Sequence, residues 1–325
     1  MIWPAFEKTP SLLGLIPPLI VLQENMQMTL AARLSTSANL GHLDKRTRAT
    51  STLAGNMMLV QCQAIIFGIF VFLCSLAGDS LLSDENLNYG DSLLLCATSL
   101  ITASLGNFLI SLKIFVCVII ARKCCCNPDN IAVPLAGSEN HFTTVVLVAW
   151  VSDYLHDANH GYVMNHVVIG LYILLVIIFL VLANRNSHVS TVLKVGWVPI
   201  LLSMIVAMVS GVTLELALDE WRGFALFYPI MSSTGVYLVG IHASRLTTYL
   251  STATVGHLGT LPEGEEQICR NPVAALCGKP HAPSVRVLLC LLPPAQTVFV
   301  FLIFRLKYLN FGMFYSSSSY PLSYR

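Results

Sequence analysis

Long apolar stretches separated by short polar joints run along nearly the whole chain. About eight of them approach or exceed the length of a membrane-spanning helix. The first, near residues 11–36, contains Pro17-Pro18 and turns polar at Glu24-Asn25-Met26-Gln27, so a helix broken at the prolines is expected. The second covers 53–77 and the third 92–121, the latter long enough to span with tilt. The fourth, 130–154, is read as one segment containing Pro134, Gly137, Glu139 and His141. The fifth, 163–184, is the plainest lipid-facing helix. The sixth covers 195–217, the seventh 223–250 and the eighth 284–304.

The joints alternate in charge. Lys45, Arg46 and Arg48 follow the first stretch, Arg122 and Lys123 the third, and Arg185 and Lys194 surround the join between the fifth and sixth. Arg245, Arg270, Lys279 and Arg286 mark the joint before the last. The intervening joints carry Asp79, Asp84, Glu85 and Asp91, then Asp153 and Asp157, then Asp219 and Glu220. Basic joints face the cytoplasm, which places the N-terminus outside. Arg305 and Lys307 fall on the opposite side from this rule. Residues 251–283 read as a polar cytosolic linker, and Ser316–Ser319 as a disordered tail.

Composition agrees with a polytopic helical membrane protein. Of 325 residues, 55% are hydrophobic and only 11% charged, against about a quarter charged in soluble domains. A net charge of +1 gives no electrostatic basis for a nucleic-acid partner. The N-terminus lacks a basic region before its apolar run and does not read as a cleaved signal. The ten cysteines show neither zinc spacing nor a secreted disulfide framework. Cys124-Cys125-Cys126 stands apart, because it follows the basic end of the third stretch, where cysteines are open to palmitoylation or remain free thiols.

A six-residue phrase occurs twice. Ala31–Thr36 reads AARLST, and Ala243–Thr248 reads ASRLTT. Each closes a stretch rich in Gly, Pro and uncharged polar residues, which suggests duplicated broken helices with a polar path between the copies. Walker, nucleophile-elbow and H-E-x-x-H signatures are missing, so no enzyme is indicated and no prosthetic group is expected. The chemistry therefore lies in intramembrane polar groups, which are expensive in lipid. Asn25, Gln27 and Thr29 offer oxygen ligands suited to hard cations, or hydrogen bonds to neighbouring helices. Asn56, Gln61 and Gln63 match Ser99, Thr102, Ser104 and Asn107 as helix–helix partners. Asp129 and Asn130 follow an Asn127-Pro128 helix start, where Asp129 reads equally as capping. Glu139 and His141 lie deep enough to bind a cation or relay a proton. His242 reads as either an interior residue or part of the path. Arg33 and Arg245 are helix-end anchors, or ties to a neighbouring carbonyl or carboxylate.

The ordered motifs resemble the MgtE-type transporters, specifically solute carrier family 41. Leu12-Leu13-Gly14-Leu15 and Asn25–Gly41 are similar to the family's L-L-G-L and N-L-E-M-T-L-A-S-R-L-S-T-x-A-N-x-G. Gln61-Cys62-Gln63-Ala64, Thr102-Ala103-Ser104-Leu105, Asn127–Pro134, Ala183–Asn186, Gly196-Trp197 and Ala243–Leu250 follow in family order, covering residues 10–305. The resemblance implies two similar halves around a divalent-cation pore. Residues 1–160 would be the first half without its first helix, 161–190 a linking helix, and 191–325 the second half without its last helices. It implies Mg²⁺ as the transported ion, with Asn25, Gln27, Asp129, Asn130, Glu139, His141 and His242 along the path. Asp129, Glu139 and His141 would be the metal contacts. Lipid surrounds the chain, and a homo-oligomer or a full-length family partner accompanies it, in the plasma membrane rather than an organelle. The alternative is a truncated, non-transporting relative that regulates a full-length transporter.

Departures accompany the resemblance. Gln27 stands where the family has Glu, and the pore Asp aligns with His141. Glu139 lies two residues earlier, about 200° away around a helix. Gly235-Val236-Tyr237 replaces Gly-Gly-Asn, and His242 replaces Gln. A neutral imidazole suits transition metals better than Mg²⁺.

Overall fold

The computed structural model describes residues 6, 9, 11–82, 88–137, 140–157, 162–206, 224–254 and 282–315, and no strand occurs among them. In chain order the helices are α1 (Leu12–Asn39), α2 (Arg46–Leu82), α3 (Tyr89–Lys123), α4 (Pro128–Gly137), α5 (Asn140–Asp157), α6 (Val163–Arg185) and α7 (Ser190–Val195). Then come α8 (Trp197–Val206), α9 (Phe224–Thr254) and α10 (Ala282–Tyr315). Four described helices contain stretches long and apolar enough to cross a bilayer: Arg46–Ala77 of α2, the whole of α3 and α6, and Val285–Arg305 of α10. Most of the expected linker and the serine tail lie outside the described residues.

One expectation is corrected. The first stretch is one helix through Pro17 and Pro18, with no break. Pro18 has no N–H to give the Gly14 carbonyl, four residues before it. Ser75 Oγ of α2 donates to that carbonyl at 3.2 Å, so a neighbouring helix supplies the missing bond. Of the fourth stretch, Pro128–Gly137 (α4) and Asn140–Asp157 (α5) are helical, and residues 138 and 139 between them lie outside the described residues.

Two compact units divide the chain, and the boundary falls inside α9, between His242 and Ala243. The first unit consists of Met1–Val212 and Ala243–Pro262, and the second of Thr213–His242 and Glu263–Arg325. At the centre of the first unit lies α3, which packs against α1, α2, α4, α5 and α6, while α1 also packs against α2, α4 and α5. Close approach of α2 and α3 depends on small residues: a side chain at Gly68 would meet Ala103 Cβ at 3.3 Å, and Ser99 Oγ donates to the Gly68 carbonyl at 2.7 Å. Apolar clusters join the remaining elements. Leu59 meets Ala183, Val189 and Leu193, and Leu94 and Ala97 meet Val151 and Leu155. The outer face of α6 is apolar and uncovered, with Val167, Leu171, Leu174 and Ile178 exposed, which is what lipid-facing helices present.

The Ser75–Gly14 bond predicts a measurable effect. Ser75→Ala should lower stability by about 0.5–1.5 kcal/mol, read as a lower thermal midpoint of the detergent-solubilised protein. An unchanged midpoint would show that α1 passes its prolines without this bond.

Candidate functional site

The second copy of the repeated phrase, and Asn39 just past the first, reach one buried carboxylate. Asn127 sits just before α4, with Pro128 at the first helical position. Its Oδ1 accepts the Asp129 N–H at 3.0 Å, which is N-cap geometry. The cap being Asn127, the Asp129 side chain is free for other partners. It is 1% exposed, and three neutral groups donate to it: Ser244 Oγ to Oδ1 at 2.7 Å, Thr248 Oγ1 to Oδ1 at 3.2 Å and Asn39 Nδ2 to Oδ2 at 2.9 Å. Thr36 and Thr248 hydroxyls lie 3.0 Å apart. These are the final residues of the two phrases, so corresponding positions of the repeat touch each other. Next to this junction, Arg245 Nε donates to Asn130 Oδ1 at 2.8 Å.

A second polar layer follows α1 inward. Gln27 Nε2 donates to the Asn107 carbonyl at 3.0 Å and to Asn107 Oδ1 at 2.7 Å, and it lies 3.3 Å from Ser111 Oγ. One turn earlier, Gln23 Nε2 donates to the Thr102 carbonyl at 3.2 Å and Gln23 Oε1 accepts from Thr144 Oγ1 at 2.7 Å. Gly106 makes room for this, since a side-chain carbon there would lie 2.5 Å from Gln23 Nε2. Gln61 and Ser104 exchange bonds at 3.2 and 2.6 Å. The partners expected for α2 are thus divided: Ser99 and Ser104 face α2, whereas Asn107 and the Thr102 carbonyl face α1.

Within this second layer, between Gln23 and Gln27 on α1, one carboxylate differs. Glu24 Oε1 is buried and accepts no hydrogen bond among the described residues. His141 Nδ1 of α5 stands 3.6 Å away, too far for a hydrogen bond but close enough for charge pairing. The Glu24 side chain is 14% exposed and that of His141 41%.

Of the residues expected along the path, Gln27, Asp129, Asn130 and His141 belong to this first unit and make the contacts above. Asn25 bonds back to its own helix, at the Val21 carbonyl. Glu139 lies outside the described residues, and His242 closes the portion of α9 assigned to the second unit. Arg33 lies in the body of α1 rather than at its end, with buried Nε and Nη2 atoms that have no hydrogen-bond partner among the described residues. No group of three or more His, Cys, Asp or Glu converges on a metal position among the described residues. Sequence reasoning missed Gln23, Asn39, Ser244 and above all Glu24. The signal for Glu24 was present, as an acidic residue two turns before Ala31 in an apolar helix.

The junction predicts an order of effects. Asp129→Asn keeps the volume but sets its amide donor against that of Asn39, and it should cost about 1–3 kcal/mol. Thr36→Val removes one neutral bond and should cost less, about 0.5–1.5 kcal/mol. Thermal midpoints of the two variants in detergent check the order.

Known proteins are similar to this chain along most of its length. Residues 16–151 match the MgtE family, described as divalent cation transporters. The chain is 34% identical to solute carrier family 41 member 3 of Mus musculus over 304 residues, 93% of this chain and 62% of the relative. It is 34% identical to the Rattus norvegicus member 3, of which it spans 65%. It is 30% identical to the Homo sapiens member 2 over 311 residues, 94% of this chain and 53% of the relative. The chain therefore spans between half and two thirds of the length of these relatives. No solved structure matches it. The first half of the chain matches the MgtE family, and nearly its whole length is similar to members 2 and 3 of solute carrier family 41.

Proposed function

We propose that this protein moves a divalent cation, Mg²⁺ foremost, across a membrane along the polar seam between α1, α3 and α5, and that the membrane is the plasma membrane. The observation that carries the reading is Glu24. A buried carboxylate oxygen without a donor is costly in a membrane protein, and a passing cation supplies the missing counter-charge. His141 stands across from it. As an imidazole it opposes a cation when protonated and ligates Mg²⁺ poorly when neutral, so it limits flux. Gln27 and Asn107 satisfy each other, which suits the wall of a path for a largely hydrated ion, because Mg²⁺ gives up its water reluctantly. Asp129 acts here as a positioning residue. Its carboxylate already accepts three bonds of the roughly four it can take, and it holds the two phrases in register. The names of the relatives and of the matching family support transport rather than enzymatic chemistry, with no prosthetic group.

Magnesium-starved cells lacking their own uptake system provide the test. Wild-type protein should restore growth and Mg²⁺ uptake. Glu24→Gln should reduce uptake about tenfold, equivalent to about 1.4 kcal/mol, with insertion unchanged. His141→Asp should raise it. Uptake that ignores both substitutions would remove the Glu24–His141 pair from the path. Correctly inserted wild-type protein that moves no ion would favour the alternative role, a partner that regulates another transporter.

A further inference from the structure

We propose that Cys124, Cys125 and Cys126 form an S-acylation site, taking long-chain fatty acyl groups in thioester linkage at the cytoplasmic surface of the membrane. The three thiols are consecutive and all exposed, whereas Cys62 is buried and Cys74, Cys96 and Cys117 are partly buried within α2 and α3. They follow directly on a spanning helix, since α3 ends at Lys123.

The same helix shows which way the thiols face. Phe108, Leu112, Val116, Ile119 and Ile120 form an exposed apolar stripe along α3, and side chains three or four apart share a helical face. Cys124 is one turn beyond Ile120, and its N–H donates to the Ile120 carbonyl at 2.9 Å. Its thiol therefore stands at the edge of the lipid-facing side. Cys125 turns the chain off the helix with φ at 55°. Arg122 and Lys123 mark this end as cytoplasmic by the positive-inside rule, the side on which acyl-coenzyme A is available.

The chemistry is balanced and involves no oxidation. A cysteine thiolate attacks the thioester carbonyl carbon of a long-chain acyl-coenzyme A. A new sulfur–acyl bond forms, the bond to coenzyme A breaks, and the released coenzyme A thiolate takes up the proton. Each attached chain inserts beside the α3 stripe, and juxtamembrane cysteines with neighbouring basic residues are suited to such anchoring. The acylated turn also connects two functional parts. Arg122 pairs with Asp44 of the α1–α2 joint at 3.3 Å, and Asn127, next after Cys126, caps the helix that presents Asp129. Acylation would hold this turn at the interface and steady the junction of the two phrases.

The test uses the full chain expressed in cells, and its readout is acylation rather than ion flux. Free thiols are blocked with N-ethylmaleimide, thioesters are opened with neutral hydroxylamine, and the released thiols are tagged with a polyethylene-glycol maleimide. Hydroxylamine-dependent mass steps are expected in the wild type and in Cys290→Ser, and none in the triple variant Cys124→Ser, Cys125→Ser, Cys126→Ser. Feeding an alkyne fatty acid and mapping the labelled peptide of the wild type by mass spectrometry locates the thioester without any variant. Membrane-inserted wild-type protein with no hydroxylamine-dependent step overturns the proposal. So does a step that persists in the triple variant, or a labelled peptide that excludes residues 124–126.

Discussion

A polar group placed among apolar helices must find its partner inside the protein, because lipid offers none. Asp129 is where this requirement is most demanding. Its carboxylate is almost completely buried, and donors arrive from both copies of the repeated phrase or their immediate neighbours. Their being neutral matters: hydrogen bonds to a charged acceptor are stronger than neutral ones, and no second buried charge has to be desolvated to make them. The junction depends on a small detail upstream, since Asn127 takes the capping role that Asp129 would otherwise fill.

The same constraint orders the rest of the first unit. Gln23 and Gln27 extend from α1 into α3, where a glycine, an asparagine and backbone carbonyls receive them. Ser75 repairs the carbonyl that Pro18 leaves open. Helices without such groups, α6 most clearly, present bare apolar faces outward. Several buried polar atoms accept or donate no hydrogen bond among the described residues, and the oxygen of Glu24 is the carboxylate among them; its distance from His141 leaves the pair open to a third participant. A cation with its remaining water is the simplest species to fill that role.

Four of the expected stretches are legible as spanning helices from hydropathy, because a spanning segment must be continuously apolar over its length. The repeated phrase and the polar residues around Asn127 were legible too, since each breaks an apolar run. Contact partners were not. Composition paired Asn107 and Thr102 with α2, yet Asn107 and the Thr102 carbonyl bond to α1, and nothing in local spacing tells which neighbouring helix a buried polar group will meet. The prolines at 17 and 18 predicted a break for the right local reason, but the compensating hydroxyl lies some sixty residues away in sequence. Glu24 was overlooked because its significance is the lack of a donor, and that is a property of the whole neighbourhood.

What the amino-acid sequence determined by itself is therefore the class of molecule, the positions of its apolar helices and its kinship, all of which follow from local composition and ordered motifs. The tertiary structure decided which polar groups neutralise one another. It joined Thr36 to Thr248 across 212 positions of chain, made Asp129 a fastening point, and left Glu24 open toward His141. The physical reason is that a hydrogen bond depends on distance and direction between groups brought together by packing, and helix packing is set by whole faces rather than by any one residue's neighbours in sequence.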